Sequence, residues 1–285
     1  MGILGMAWHL VLGSPQSVGH EEVFPRMSSS LARRPQTPIS IDAAPIRVIS
    51  QRIRGARYVA IIGGRPGSRL ISGRQPVAWF IKEAGAQAGI NGAFFVMAAI
   101  RSTNSAMIGP VLAENGPGFV PCKKGVNSEK LEGRPFIMWD DKQIAFIPYQ
   151  SMMNEEEGAR TNLPTAKGGF VAGAWLIQDG RVLTGGEIRG HGPRDSEQPR
   201  RRAMFGVTDD GRICLAAAAD SVSSSTLAKA AKDFGCHDAA LLDSGFSTSL
   251  VLGSKTLVSG HSTSKQPSRP VPHALVIYGD FAANQ

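Results

Sequence analysis

The side chains that could do chemistry in this chain stand where short apolar runs give way to polar loops. Asp243 follows Ala239-Ala240-Leu241-Leu242 and precedes Ser244-Gly245-Phe246-Ser247-Thr248. A carboxylate that leaves a buried strand for a loop of small residues is desolvated and held in place, which suits it to acid–base or nucleophilic work. The glycine would allow close approach of a substrate, and the hydroxyls would offer hydrogen bonds. The same residues also read as an aspartate capping its own turn. Asp220, after the apolar run 214–219, is a second carboxylate at a strand end, with a helix cap as its competing role. The triplet Arg200-Arg201-Arg202 leads straight into the apolar run 203–207. It is either a solvated loop or the place where one fixed guanidinium could clamp a phosphate bidentately. Asn91-Gly92, ahead of Ala93-Phe94-Phe95, reads on its own as a turn entering the core.

Several familiar chemistries have no foothold. The chain lacks a G-x-x-x-x-G-K-[ST] phosphate loop, a G-x-G-x-x-G opening a helix, an H-E-x-x-H pair and a G-x-S-x-G elbow. Its six histidines (His9, His20, His191, His237, His261 and His273) show no metal-ligand spacing and read as surface or turn residues, so neither a metal nor another cofactor is expected. The three cysteines, Cys122, Cys214 and Cys236, include no C-x-x-C pair. Cys214 and Cys236 flank one expected helix; they could pair in an oxidising compartment or remain small buried thiols.

The elements that must position these residues follow from composition and periodicity. The chain has 285 residues, 42% hydrophobic and 19% charged, a balance that excludes a wholly disordered chain and a coiled coil. No apolar run approaches the roughly 20 residues of a membrane-spanning helix. The 33 glycines and 18 prolines favour many turns and short strands. The net charge is +8, with arginine exceeding lysine, and such a surface attracts polyanions. With no run of five basic residues and only 7% aromatics, no nucleic-acid platform is visible, and nucleic acid is not an expected partner.

Order is expected from about residue 39. Residues 1–38 read as a disordered or signal-like arm: 3–12 is a short apolar stretch, yet none of the first 25 residues is basic. Strands are expected at 39–41, 46–49 and 58–62, a helix over 77–88 capped by Gly89, and strands near 239–242, 250 and 274–278. Hairpins are expected around Asp140-Asp141-Lys142, Asp179-Gly180 and Asp210-Gly211. Leu227, Ala230, Ala231 and Phe234 mark the clearest helix, over 225–235, closed by Gly235. The fold class is α+β, a mostly antiparallel sheet core with few helices.

Taken in order, five pieces carry a resemblance that none carries alone. They are Asn91-Gly-Ala-Phe-Phe, Gly173-Ala-Trp-Leu-Ile-Gln-Asp-Gly180, Arg202-Ala-Met-Phe-Gly206 with Asp210-Gly211, Leu242-Asp-Ser-Gly-Phe-Ser-Thr248 after the 225–235 helix, and Arg269-Pro-Val-Pro-His-Ala-Leu-Val276. Over about residues 55–280 the chain resembles the phosphodiester glycosidase family. The resemblance implies a single such domain over 39–285. It also implies hydrolysis of a sugar-1-phosphodiester of N-acetylglucosamine type at the anomeric carbon, with a phosphate monoester leaving. Asn91, Arg202, Asp243 and Ser247 fall on the family's motif positions, and Asp220 joins them as a further carboxylate. Gly92, Ser244, Gly245, Ser247 and Thr248 are the expected substrate-binding positions. A glycan or sugar-phosphodiester partner and a periplasmic or secreted setting follow from the same resemblance. Two departures stand out. Asp243-Ser244-Gly245-Phe246-Ser247 replaces the family's usual Asp-Gly-Gly-Gly-Ser, and Gly173-Ala174 replaces Gly-Pro. The bulkier loop, with the +8 charge, keeps open a non-catalytic module of the same fold that binds anionic glycans.

Overall fold

Among the residues that this computed structural model describes (37–96, 106–116, 118–263 and 266–283), the chain forms eighteen β-strands and four α-helices. β1 (Ile39–Ser40) precedes a hairpin of β2 (Arg47–Ile53) and β3 (Ala56–Ile62), and the chain then bends into β4 (Arg65–Gln75). Next come α1 (Val77–Ala84), β5 (Ala88–Asn91), β6 (Val111–Leu112) and β7 (Phe119–Val120). A hairpin of β8 (Pro135–Trp139) and β9 (Gln143–Pro148) is followed by α2 (Glu156–Arg160) and β10 (Gly168–Val171). β11 (Ala174–Gln178), β12 (Arg181–Val182) and α3 (Gly185–His191) lead to β13 (Ala203–Thr208) and β14 (Ile213–Ala218). α4 (Ser224–Asp233) and β15 (Cys236–Leu241) then precede β16 (Ser249–Leu252), β17 (Lys255–Ser259) and β18 (Val271–Tyr278).

The strands form three sheets, ordered β1-β9-β8-β10-β6-β7, β12-β11-β15-β13-β14-β3-β2 and β17-β16-β5-β18-β4. All the pairings between these strands are antiparallel, as the turn-rich composition implied. Period-two alternation assigns each strand's two faces to different layers. In β8, Ile137 and Trp139 enter the main core, while Phe136 and Met138 join a second cluster with Met153, Ala159 and Leu163. In β18, Leu275 and Ile277 enter the main core, while Ala274 and Val276 pack against Val77, Phe80 and Ile81 of α1. Phe205 of the seven-stranded sheet meets Trp139 in a stack (5.8 Å, 21°) and Phe170 edge-on (5.8 Å, 89°), so one face of that sheet lies on the six-stranded one. Helix α4 packs against β11 and β15, and α3 against β11. β13 and β14, interior strands of the seven-stranded sheet, are buried at every position, which is why 203–207 and 213–218 read as unbroken apolar runs.

All three expected hairpins form. Asp179 and Gly180 both take positive φ (50° and 74°), the two-residue turn whose twist matches its flanking strands. The expected 77–88 helix stops earlier, at Ala84, because Gly85 adopts the left-handed conformation (φ 62°) and its N–H closes the last turn. Residues 88–91 are thereby released to form β5, on which Asn91 sits. The 225–235 helix starts one residue sooner, with Ser223 accepting a hydrogen bond from the Thr226 N–H as N-cap. Asp220 is thus not the helix cap that its position suggested.

Cys214 and Cys236 are buried free thiols on β14 and β15, separated by the intervening β13. Two strand spacings place their Cα atoms about 10 Å apart, beyond the roughly 7 Å that a disulfide spans. The contact with Cys214, together with burial, pushes the Cys236 thiol well above its ordinary range. The N-terminal arm expected over 1–38 lies outside the described residues except for 37 and 38.

Candidate active site

Antiparallel order brings the ends of β15 and β14 and the starts of β13 and β3 to one end of the seven-stranded sheet. Asp243, Arg202 and Asp220 therefore stand in a row just beyond the ends of the neighbouring strands β15, β13 and β14. The Leu242 N–H donates to the Ala203 carbonyl (2.9 Å) and the Ala218 N–H to the Arg202 carbonyl (2.8 Å). The backbones that carry the two carboxylates are about 10 Å apart by strand spacing. Their side chains part company. Asp220 is exposed, and its Oδ2 accepts from the Arg57 backbone N–H (2.7 Å), tying off the start of β3. Asp243 is only partly exposed and sits in the loop between β15 and β16.

Asn91 fixes that loop from the five-stranded sheet. It is fully buried, its Nδ2 donates to the Asp243 carbonyl (2.6 Å), and its Oδ1 accepts from the Ser249 N–H (3.0 Å). One amide thus holds both ends of the 243–249 segment. The Asp243 N–H donates to the Gly92 carbonyl (3.1 Å), and the Gly92 N–H to the His273 carbonyl (2.9 Å). His273 Nδ1 accepts from the Ala93 N–H (3.0 Å), which leaves the proton on Nε2 to face Ser68 Oγ (3.0 Å). The ring is completely buried, and desolvation lowers its pKa to about 3, so it is a neutral strut. This overturns the sequence reading of His273 as a surface or turn residue. A Cβ at Gly92 would lie 2.2 Å from His273 Nδ1. Gly92→Ala is therefore expected to destabilise the protein by about 2 kcal/mol or more, on the scale of overpacking and lost buried hydrogen bonds. Urea unfolding measures this; an unchanged midpoint would mean that the His273 ring can move aside.

The rest of the loop is held from β13. The Gly245 N–H (2.8 Å) and Thr248 Oγ1 (3.0 Å) both donate to the Arg201 carbonyl, and Ser244 Oγ donates to the Leu242 carbonyl (3.0 Å). The Ser244 N–H donates to Asp243 Oδ1 (2.9 Å), the local turn that the sequence offered as the alternative to a site. The turn fixes the carboxyl, and the fold buries it. Ser247 is fully buried, and its Oγ lacks a hydrogen-bond partner. It still lies close enough to the Asp243 carboxyl to favour the ionised form.

Burial raises the Asp243 pKa above the usual carboxylate range, against opposing pulls from Ser247, the Ser244 N–H and Arg269; Asp195 pushes it further up. Asp195 belongs to a loop pinned from beneath by Arg202. That guanidinium is almost fully buried and donates to the carbonyls of Asp195 (2.9 Å), Gln198 (2.6 Å) and Val222 (3.3 Å), and burial lowers its pKa to about 10. Arg200 pairs with the Asp195 carboxylate at the rim (2.8 Å). Among the expected residues, the structure gathers Asn91, Gly92, Asp243, Ser244, Gly245, Ser247 and Thr248 around one loop. It places Arg202 beneath the neighbouring loop and turns Asp220 toward β3.

Arg269, from the Arg-Pro-Val-Pro segment, is the cation that bears on Asp243. Its backbone N–H donates to the Phe246 carbonyl (2.7 Å), and its guanidinium lies over the Phe246 ring (5.8 Å to the centroid). Phe246 is 55% exposed and stacks on His261 (4.6 Å, 14°). The signal for Arg269 lay in its neighbours: an arginine just ahead of Pro-Val-Pro is held at the start of the long buried strand β18. Among the described residues no group of three or more His, Cys, Asp or Glu could hold a metal, and no helix is long and apolar enough to cross a membrane.

The loop carboxylate is thus locked between two sheets, with a buried hydroxyl and an arginine beside it. The phosphodiester glycosidase family model matches residues 84–278, more than half of the chain, and the chain belongs to that family. Its fold is similar to that of the zebrafish N-acetylglucosamine-1-phosphodiester alpha-N-acetylglucosaminidase catalytic domain, solved in a form auto-inhibited by its pro-peptide. The two share 15% identity with a TM-score of 0.62, over 85% of this chain and 88% of that one. A hypothetical protein from Synechocystis is similar at 15% identity and a TM-score of 0.53, over 83% of this chain and 64% of its own. No curated protein matches the chain.

Proposed function

We propose that this chain is a glycoside hydrolase that cleaves a sugar-1-phosphodiester of N-acetylglucosamine type at the anomeric carbon, releasing a phosphate monoester. The observation that carries the proposal is the Asp243 carboxyl, raised by burial and flanked by Ser247 and Arg269 in a loop that Asn91 holds at both ends. Such cleavage passes through an oxocarbenium-like transition state, and the departing phosphate already carries its own charge well. A strong general acid is therefore less necessary than for an ordinary glycoside. Asp243 stabilises the anomeric cation or activates water, and Arg269 neutralises the leaving phosphate. Ser247, buried behind the loop, favours the ionised form of the Asp243 carboxyl. Asn91 and Arg202 act by position: one fixes the Asp243 loop, the other the Asp195 loop beside it. Asp220, engaged with the Arg57 N–H, holds the start of β3 at the same end of the sheet. The substrate class is a glycan or envelope polymer, which places the enzyme in the periplasm or outside the cell.

The second reading, a non-catalytic module that binds anionic glycans, is favoured by one observation, the exposed Phe246 ring between His261 and Arg269. The deciding experiment incubates the protein with an N-acetylglucosamine-1-phosphodiester of a small alcohol in heavy-oxygen water. The glycosidase is expected to release the alkyl phosphate and to place the solvent oxygen on the sugar. Label on the phosphate would mean P–O cleavage and would overturn the assignment. Failure to turn over several sugar phosphodiesters, with salt-sensitive glycan binding retained, would favour the binding module.

A further inference from the structure

Beside the Asp243 loop, a cavity of about 610 Å³ opens between the end of the seven-stranded sheet and β16–β17 of the five-stranded one. Three arginines from separate parts of the chain line it: Arg57 from the start of β3, Arg201 from the start of β13, and Arg269 from the segment before β18. His261, Ser249 and Ser259 add polar atoms, and among the described residues the lining includes no aspartate or glutamate. Two of the arginines are held in place. Arg201 donates to the Ser259 carbonyl (2.8 Å), and Arg269 is anchored through its own N–H and lies over Phe246. Asp220, the nearest acid by sequence, accepts from the Arg57 backbone N–H.

A concavity of this size suits a small molecule. Three arginines, of which only Arg269 bears on a carboxyl, that of Asp243, leave an excess of positive charge that calls for an anion, and guanidinium forks favour phosphate oxygens. The hydroxyls suit a polyol. Arg269 belongs both to the cavity wall and to the field on Asp243, so the cavity and the reacting carboxyl share a wall. We propose that this cavity is the leaving-group subsite and binds a phosphorylated polyol, its phosphate against Arg269 and its far end toward Arg57 and Arg201. This inference rests on the glycosidase reading for its place in the reaction, but its binding chemistry can be tested without turnover.

The probe is glycerol 3-phosphate, titrated calorimetrically into the whole chain at low salt, with glycerol and inorganic phosphate as controls. Binding of the phosphorylated polyol is expected to be tighter than that of phosphate, with none for glycerol and a steep loss on adding salt. Arg57 is exposed, so Arg57→Gln should fold, and it is expected to weaken binding about tenfold. Thr256→Trp, at an exposed position of β17 on the cavity wall, is expected to fill the space and block binding. Both variants should raise KM for a sugar phosphodiester more than they lower kcat. Binding that neither variant alters would overturn the subsite even if the enzyme turns over. Binding lost in both variants, with no turnover by the wild type, would uphold the subsite and sink the glycosidase reading alone.

Discussion

Asp243→Asn is expected to lower kcat on a sugar-1-phosphodiester by about 10²- to 10⁴-fold, the range for removing one positioned acid–base or charge-stabilising group, while leaving the protein as stable as before or slightly more so. The two halves of that result have one cause. Asparagine keeps an oxygen to accept from the Ser244 N–H, so the turn survives. What it removes is a charge that the fold partly buries. Because burial raises the Asp243 pKa, the folded state favours the protonated acid, and ionising the carboxyl as pH rises costs stability. The carboxylate is thus retained at the expense of stability, as expected of a working group. In the wild type, the acid limb of kcat/KM is expected to lie above the usual carboxylate range. Melting curves alongside kinetics check both halves. An asparagine variant that keeps more than a tenth of wild-type turnover would remove Asp243 from the chemistry.

The site was legible where local chemistry and tertiary burial coincide. An apolar strand running into Asp-Ser-Gly-Phe-Ser-Thr announced both the buried position of Asp243 and its hydroxyl surroundings, and Asn91-Gly92 could be attached to it through the order of motifs. Arg202 shows the limit of that reasoning. Three adjacent arginines look alike in sequence, yet alternation along the start of β13 sends Arg202 into the interior, to be absorbed by three carbonyls, and Arg201 to the cavity. The carbonyls belong to residues 195, 198 and 222, an arrangement that no local pattern encodes. Arg269 and His273 were hidden for a related reason. Each acts on residues about 25 or 180 positions away, through a loop contact in one case and a strand pairing in the other. The fold followed the same rule. The Asp-Gly hairpins were readable because turn chemistry is local, whereas β10, β17 and most of β4 were not. β10 is glycine-rich, β17 is polar at its start, and β4 mixes arginine with glycine, so their strand character comes from their neighbours.

The second large effect is expected in stability against acid. His273 is fully buried with its pKa lowered to about 3, and His191, which accepts from the Trp175 N–H (3.1 Å), is lowered to about 4 by burial and then by Arg134. In the unfolded chain both would titrate near 6.5. As pH falls through 6.5 the unfolded state gains protons that the folded state refuses, so stability is fully present above that pH and is lost on acidification, until the folded-state values are reached. Each refused proton costs about 1.4 kcal/mol per pH unit, so by pH 5 the two histidines together are expected to remove about 3 to 4 kcal/mol. The loss would reach the candidate site, because His273 carries the Gly92–Ala93 corner on which the Asp243 N–H rests. Urea unfolding at pH 7, 6 and 5 measures the slope. His273→Asn offers an oxygen to the Ala93 N–H in place of Nδ1, so it isolates the proton from the strut. The variant is expected to be less stable at pH 7, through its lost volume and Ser68 contact, but to lose stability more slowly below pH 6.5, by about 1.4 kcal/mol per unit. Equal slopes in the two proteins would mean that His273 takes up its proton within the fold, and the buried strut would have to be given up.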